Sequence, residues 1–196
     1  MKLISILFKL LIAVGIFWLL LTLWVQYFGK QEKVNILSKN ATHSALIVYS
    51  PDPIYDLDKQ VAKSIANGLA SKHFNVNIRT NKRVENALTD YDLVVLISNT
   101  YNWEPDWGIS RFVKYNQWPD SLNVAAITLG SGSTKKSHEI FTNRVKATGS
   151  NLLSDSNWWL LRPNDDNRTN EKNVDVAKHQ AALYGIKLAE QVQTKK

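Results

Sequence analysis

Apolar residues follow two different patterns along this chain. Between Lys9 and Lys30 runs an uninterrupted stretch of twenty uncharged residues, LLIAVGIFWLLLTLWVQYFG. As a helix it would be about 30 Å long, which matches the hydrocarbon core of a bilayer. From residue 44 onward, short apolar runs alternate with segments whose apolar residues recur every three or four positions. The first pattern predicts a transmembrane helix and the second an α/β domain.

The apolar stretch at 10–29 predicts a retained membrane anchor, and a cleaved signal peptide is the alternative. Lys2 and Lys9 would form the basic region of a signal peptide, but no pair of small residues follows the stretch. Trp24 and Tyr27 lie near its end, where aromatic rings favour the membrane interface. Three positive groups flank each side of the stretch, so the positive-inside rule does not decide its orientation.

The rest of the chain suits one domain. We divide the sequence into an N-terminal tail (1–9), the anchor (10–29), a polar tether (30–43) and a domain (44–196). About 150 residues are enough to bury a hydrophobic core. The domain shows no internal repeat.

Strands and helices are predicted to alternate through the domain. Five apolar runs predict strands at 45–49, 75–79, 93–97, 122–128 and within 151–161. Amphipathic segments between and after these strands predict four helices. The first runs to Leu69 and would be capped by Asp56, and the others lie at 107–115, 136–148 and 174–188. This order predicts a five-stranded parallel sheet with helices on both faces, a three-layer sandwich.

Ligands of such sheets bind at the carboxyl ends of the strands. The loops Ser50–Asp56, Ser98–Trp107 and Leu129–Lys135 follow three of the predicted strands. They are therefore the candidate site, and this expectation needs only the pattern.

Composition narrows the chemistry of that site. The chain has no cysteine, which excludes disulfides, thiolate metal sites and a cysteine nucleophile. The four histidines show no metal-ligand spacing, so no metal site is predicted. The run Gly130–Ser133 fits neither a nucleophile elbow nor a phosphate-binding P-loop. A hydrolase acting through Ser131 stays open, but no base can be nominated for it.

The charge is positive, with 24 Lys and Arg against 17 Asp and Glu. One predicted helix carries a basic cluster: Lys135, Lys136, Arg144 and Lys146. An ordinary solvated helix face explains the cluster, and attraction to an anionic membrane surface is the functional alternative. Nucleic-acid binding is not predicted, because no recognition motif accompanies the charge.

Three stretches together resemble the flavodoxin-like family. YDLVVLISNTYNWEPDWGISRFVKY (91–115) is similar to the family's central strand and flavin-side loop. ALIVYS and FNVNIRT look like its first βαβ unit, and VAAITLGSGS looks like its fourth strand and second loop. The likeness covers residues 44–190 approximately, and it implies FMN held at the strand ends. The activities it implies are electron transfer and redox chemistry of quinones or nicotinamides.

The resemblance also implies the residues that contact the cofactor. The loop beside the flavin ring would be Asn99, Thr100, Tyr101, Asn102 and Trp103. The second loop would be Gly130, Ser131 and Gly132. In the phosphate loop only Ser50 matches the family. The phosphate loop itself departs from the family, because SPDPIYD (50–56) has two prolines, no glycine and two aspartates. Prolines lack an amide donor, and carboxylates repel a phosphate dianion.

Two functions follow from these features. The first is FMN-dependent electron transfer or oxidoreduction at a membrane surface, with a membrane redox partner or a quinone. The second is a cofactor-free docking or assembly module at the membrane. Both make the lipid bilayer a partner. The supply of flavin and nicotinamide favours the cytoplasmic face for the domain.

Overall fold

The computed structural model describes residues 2–85 and 87–194. The outer limits predicted at Met1 and Lys196 lie outside the described residues. Within this part the helices are α1 (Lys2–Tyr27), α2 (Leu57–Ala70), α3 (Trp107–Tyr115), α4 (Lys135–Lys146) and α5 (Asn173–Gln193). The strands are β1 (Lys33–Ile36), β2 (His43–Tyr49), β3 (Phe74–Thr80), β4 (Leu93–Tyr101), β5 (Glu104–Pro105), β6 (Asn123–Gly130) and β7 (Asn151–Trp159).

The sheet is mostly parallel and has seven strands, not the five predicted. Its order is β1-β3-β2-β4-β6-β7, and β5 pairs only with β4. The five predicted strands form the parallel part, β3-β2-β4-β6-β7. The two additional strands, β1 and β5, are antiparallel and have four and two residues. Such short strands carry too few residues for a hydrophobic pattern to reveal them.

Residues 30–43, predicted to be a polar tether, differ from that expectation. They contain β1, which pairs with β3 from Lys33 opposite Arg79 to Ile36 opposite Val76. Val34 and Ile36 pack partly buried against the core. The segment therefore joins α1 to the edge of the sheet instead of running free.

Two hydrophobic clusters cover the two faces of the sheet. One packs α2 and α5 against β2, β3 and β4, and the other packs α3 and α4 against the opposite face. The α2–α5 contact needs glycines, because a Cβ on Gly68 or Gly185 would collide with the backbone oxygen of Ala182 or Ile65. The predicted three-layer sandwich is confirmed by this arrangement.

Helix α1 is the longest helix and begins earlier than the predicted anchor. Leu3–Tyr27 has 25 residues and a mean hydropathy of 2.6, long and apolar enough to cross a membrane. Its last three turns contact the domain. Val25 and Gln26 are buried there, and Gln26 Oε1 accepts the backbone N–H of Trp107 at 2.8 Å. The helix therefore ends on the face of the domain where the parallel strands end.

Candidate functional site

A cavity of about 260 Å³ lies at the carboxyl ends of the central strands. The switch point of the parallel strand order lies between β2 and β4, which is where ligands bind in such sheets. Six of the nine predicted cofactor residues line this cavity: Asn99, Thr100, Tyr101, Asn102, Gly130 and Ser131. Ser50, Trp103 and Gly132 are not in its lining. The structure thus brings together most of the two predicted loops.

Helix α1 forms one wall of the cavity, which the sequence did not predict. Trp18 Nε1–H donates to Asn102 Oδ1 at 3.1 Å, and the Asn102 amide donates to Thr22 Oγ1 at 3.4 Å. Leu21 and Val25 complete the wall. Thr22 and Gln26 are polar residues four positions apart in an apolar run, so they lie on one helix face. That spacing was the available signal for a docked face.

The phosphate loop is closed by the chain's own carboxylates. Asp52 Oδ1 accepts the backbone N–H groups of Ile54 at 2.6 Å and Tyr55 at 3.0 Å. Asp58 Oδ2 in turn accepts the N–H of Asp52 at 2.7 Å. These are the amide donors that a loop of this kind would offer to a phosphate. Here they are already paired with anionic groups.

The site therefore does not fit the phosphate of FMN. Pro51 and Pro53 contribute no donors, and the N–H groups of Asp52, Ile54 and Tyr55 are occupied by the carboxyl groups of Asp58 and Asp52. A phosphate would have to displace a carboxylate and then remain close to it. Asp56, predicted to cap α2, stands at the N-cap but makes no side-chain capping bond. The paired amides and the carboxylates beside them consequently disfavour a dianion at this loop.

Hydrogen bonds connect the carboxyl groups of Asp52 and Asp58 to residues of β4 that line the cavity. The Asn99 amide donates to Asp58 Oδ2 at 3.2 Å, and Tyr101 Oη–H donates to Asp52 Oδ2 at 2.7 Å. Burial raises the pKa of the Asp58 carboxyl to about 7, although the amides of Asp52, Lys59 and Asn99 pull it down. Burial and the Asp52 charge also raise the pKa of Tyr101, which keeps its hydroxyl a donor.

A second buried acid, Asp106, connects β4 to α3 through hydrogen bonds. Its Oδ2 accepts from Ser98 Oγ at 2.9 Å and from the Asn99 N–H at 3.1 Å, and its Oδ1 caps α3 through the N–H of Ile109 at 2.8 Å. Ser50 also hydrogen-bonds to Asp106, so its hydroxyl faces this carboxylate. Burial raises the pKa of Asp106 to about 6. Ser50 therefore belongs to a structural network.

These two acids predict a pH-dependent stability. Their pKa values in the folded protein exceed the ordinary value of 3.8, so the folded state binds protons more tightly than the unfolded state. The free energy of unfolding should fall as pH rises from about 4, by up to about 1.4 kcal/mol per pH unit for each group, until about pH 6 for Asp106 and about pH 7 for Asp58. Urea unfolding of the full chain in detergent between pH 4 and 8 measures this slope. Asp58→Asn should flatten it, and an unchanged slope would contradict the assignment.

Trp103 lies on a strained turn outside the cavity. Asn102 and Trp103 form the two-residue connection between β4 and β5, and both have positive φ, 51° and 61°. This is the geometry of a type I′ turn, whose second position favours glycine. Trp103 is nevertheless there, 61% exposed. A bulky residue kept in a strained and exposed position points to a role outside the fold itself.

Trp103→Gly tests that strain. Glycine adopts positive φ without the steric cost that an L-residue pays, so the variant should raise the free energy of unfolding by about 0.5–1 kcal/mol. Chemical denaturation of both proteins in the same detergent measures the change. A loss of stability would show that Trp103 packs in a way that its exposure does not suggest.

Ser131 has no base beside it. Among the described residues, no histidine hydrogen-bonds to it, and His138 instead bonds Thr128 Oγ1 and Asp155 Oδ1, each at 2.9 Å. The backbone oxygen of Ser131 accepts the N–H of Leu161 at 2.9 Å. Ser131 therefore shapes a loop, and the geometry offers nothing for a serine hydrolase.

The sheet order and the strand-end cavity define a doubly wound α/β domain. No protein-family model and no curated protein sequence matches the chain. Several solved structures match the chain. A flavodoxin from the domain Archaea has a TM-score of 0.57 at 17% identity, covering 76% of this chain and 99% of the flavodoxin. A WrbA-like flavodoxin from Agrobacterium tumefaciens has a TM-score of 0.57 at 12% identity, with 79% and 100% coverage.

A third match is the Flv1 flavodiiron core from Synechocystis sp. PCC6803. It has a TM-score of 0.60 at 13% identity and covers 80% of this chain, which spans 37% of that longer protein. The chain has the flavodoxin-like fold, as the sequence resemblance predicted.

Proposed function

We propose that this chain is a cofactor-free flavodoxin-fold module that docks or assembles other components at a membrane surface. The observation that carries the proposal is the occupation of the phosphate-loop amides by Asp52 and Asp58. Such a module has the fold of its structural neighbours but no phosphate-binding site. Fold alone does not transfer their chemistry.

The membrane tether in this proposal is α1. A bilayer core about 30 Å thick needs about 20 helical residues, and Leu3–Tyr27 has 25. The final turns of the helix would therefore emerge into the headgroup region. Those are the turns that contact the domain through Thr22, Val25 and Gln26. This geometry supports a domain held directly against the bilayer.

Exposed apolar side chains lie on the loops at the strand ends, the edge of the domain that α1 contacts. They come from the loops that follow β2, β4 and β7, namely Ile54, Tyr55, Trp103 and Leu161, with exposed fractions between 50% and 76%. Asn102 fixes the Trp103 turn to Trp18 and Thr22 of α1. If α1 spans the bilayer, these side chains stand at the interface, where tryptophan and tyrosine are favoured. Contact with the membrane interface would then explain why tryptophan occupies the strained position 103.

A basic groove beside α1 supports contact with anionic lipid. It has a volume of about 840 Å³ between α3 and α4, and Tyr27, Arg111, Lys114 and Arg144 are among its lining. Within the described chain, Arg111 and Lys114 form no ion pair, whereas Arg144 Nη2 lies 3.6 Å from Glu104 Oε2. Each basic residue near an anionic surface contributes about 1 kcal/mol. The lipid bilayer is thus the partner that we assign to this face.

The orientation can be tested because the chain has no cysteine. Asn67→Cys introduces a single thiol at an exposed position of α2. We expect a membrane-impermeant maleimide to label this variant only after cells are permeabilised, since we propose that the domain is cytoplasmic. Equal labelling of intact cells would place the domain on the other side.

FMN-dependent electron transfer at the membrane, with a membrane redox partner or a quinone, is the second candidate. It is favoured by the flavodoxin neighbours and by the six predicted residues that line the cavity. FMN titration of the detergent-purified full chain separates the two candidates. The docking module should give no saturable quenching of flavin fluorescence up to about 100 µM, a weak-affinity limit of about −5.5 kcal/mol. Saturation in the low micromolar range would favour electron transfer.

A further inference from the structure

The groove between α3 and α4 has the shape of a ligand site as well as a positive charge. Its volume is about 840 Å³, and the rings of Trp107, Tyr115 and Trp118 contribute to its walls. Aromatic walls with a few charged groups are typical of concave binding sites. Among the described residues, none lines both this groove and the cavity at the strand ends. The groove is therefore a second, separate candidate site.

Three basic side chains line the groove from both of its walls. Arg111 and Lys114 are exposed and stand three positions apart on α3, which puts them on one helix face. Arg144 of α4 donates from Nη1 to Ser110 Oγ at 2.8 Å, so its guanidinium lies next to α3. Glu104, the one acidic residue of the described lining, lies 3.6 Å from Arg144. Three positive charges against one negative charge favour an anionic ligand.

The groove begins where α1 ends. Tyr27 is the last residue of α1 and belongs to the groove lining. The Arg111 guanidinium lies 5.2 Å from the centroid of the Tyr27 ring, and Arg111 Nη1 donates to Tyr27 Oη at 3.5 Å. Trp24 and Phe28, on either side of Tyr27 in the chain, are exposed at 42% and 71%. A ligand with an anionic head and apolar chains would therefore contact the groove and the end of α1 together.

An anionic phospholipid has this combination of groups. Its phosphate is an anion that arginine binds through two parallel hydrogen bonds and lysine binds as a point charge. Basic pockets beside membrane-spanning helices bind anionic headgroups in the same way. We propose that the groove binds the headgroup of one anionic phospholipid, with Arg111, Lys114 and Arg144 around the phosphate and the acyl chains against the end of α1. The inference rests on the proposed function, because it needs α1 in the bilayer, and it adds a single saturable site to general attraction by the surface.

Native mass spectrometry of the full chain in detergent counts the lipids that stay bound. We expect one dioleoylphosphatidylglycerol per chain to bind at least about tenfold more tightly than dioleoylphosphatidylcholine, whose choline would bring a cation to the three basic side chains. Equal affinity for the two lipids would overturn the proposal. Uptake of several phosphatidylglycerol molecules, with no tighter first one, would overturn it as well.

Two lysines on neighbouring helices provide a matched pair of variants. Lys114 lines the groove, whereas Lys135 at the start of α4 does not, and both are exposed. Lys114→Gln should weaken binding of the first phosphatidylglycerol about fivefold, the ratio that corresponds to about 1 kcal/mol per basic residue. Lys135→Gln should weaken it less than about twofold. Equal losses would show general attraction to anionic lipid in place of a defined site.

Two competitors test whether lipid is the ligand. Inorganic phosphate and hexaglutamate, each compared with sodium chloride of the same ionic strength, should leave the bound phosphatidylglycerol in place. Displacement by phosphate would indicate a site for a free anion, and displacement by hexaglutamate a site for an acidic protein segment; either result would overturn the proposal. The outcome is separable from the cofactor question: FMN binding would defeat the cofactor-free proposal, and a missing phosphatidylglycerol site would defeat only this inference.

Discussion

Asp106→Ala should lower the free energy of unfolding by about 3–4 kcal/mol, the largest effect that we expect of a single substitution in this site. The substitution removes the cap of α3 at Ile109 and leaves the buried N–H of Asn99 without an acceptor. It also frees the Ser98 hydroxyl in the interior. A lost cap costs about 0.5–2 kcal/mol, and each buried unpaired group about 1–3 kcal/mol.

Asp56 offers the matched control for Asp106. Both are aspartates at helix N-caps, but Asp56 makes no side-chain capping bond. Asp56→Ala should therefore change the free energy of unfolding by less than about 0.5 kcal/mol. Urea denaturation of both variants in one detergent measures the contrast. Equal losses would show that the network around Asp106 is not what stabilises the start of α3.

The second large effect concerns ligand affinity. Asp52→Gly should strengthen FMN binding by about 10- to 100-fold, since it frees the N–H groups of Ile54 and Tyr55 and removes a negative charge. Two unit charges about 5 Å apart interact by about 3 kcal/mol at an effective dielectric constant of 20, and exposure of the loop reduces this value. Fluorescence titration with FMN measures the gain.

Two controls distinguish the effect of the occupied loop amides on FMN affinity from the effect of negative charge alone. Asp52→Gly should give no gain in riboflavin binding, because riboflavin has no phosphate. Asp56→Gly removes the same charge from the same loop, but the Asp56 side chain does not hold the loop amides, so its effect on FMN should be smaller. If Asp56→Gly strengthened FMN binding as much as Asp52→Gly, the closed-loop account would be wrong.

The parallel sheet could be predicted because its strands are buried on both faces. Leu93–Ile97 is apolar at every position, and all five residues are fully buried. The edge strand β1 could not be predicted in the same way. Its residues alternate between exposed and half-buried over only four positions, and its pairing with β3 depends on where the chain leaves α1. Local patterns do not contain that tertiary information.

The candidate site could be predicted only in part for a related reason. The loops that follow strands are located by the strands themselves, so Asn99–Asn102, Gly130 and Ser131, which line the cavity, could be proposed from the sequence. The wall formed by α1 depends on how a helix far away in the chain docks, through Trp18 and Thr22. Trp103 was expected beside the ligand, but the turn geometry carries it away from the cavity.

The pairing inside the phosphate loop changes how its acids are interpreted. In sequence, the aspartates of 50–56 only add negative charge. In the structure, Asp52 and the nearby Asp58 accept three backbone N–H groups of the loop. Their carboxyl groups therefore occupy the donors that a phosphate would otherwise take. This conversion of a binding loop into a self-contained turn is the central claim about the function.

The most direct test of that claim is the flavin content of the full chain as it is purified. We predict that protein extracted in mild detergent lacks the flavin bands at about 375 and 450 nm, which belong to the cofactor itself, and releases no FMN when it is denatured. Protein that carries FMN in near-stoichiometric amount would contradict the account, because the loop would then hold a phosphate that its paired amides should refuse.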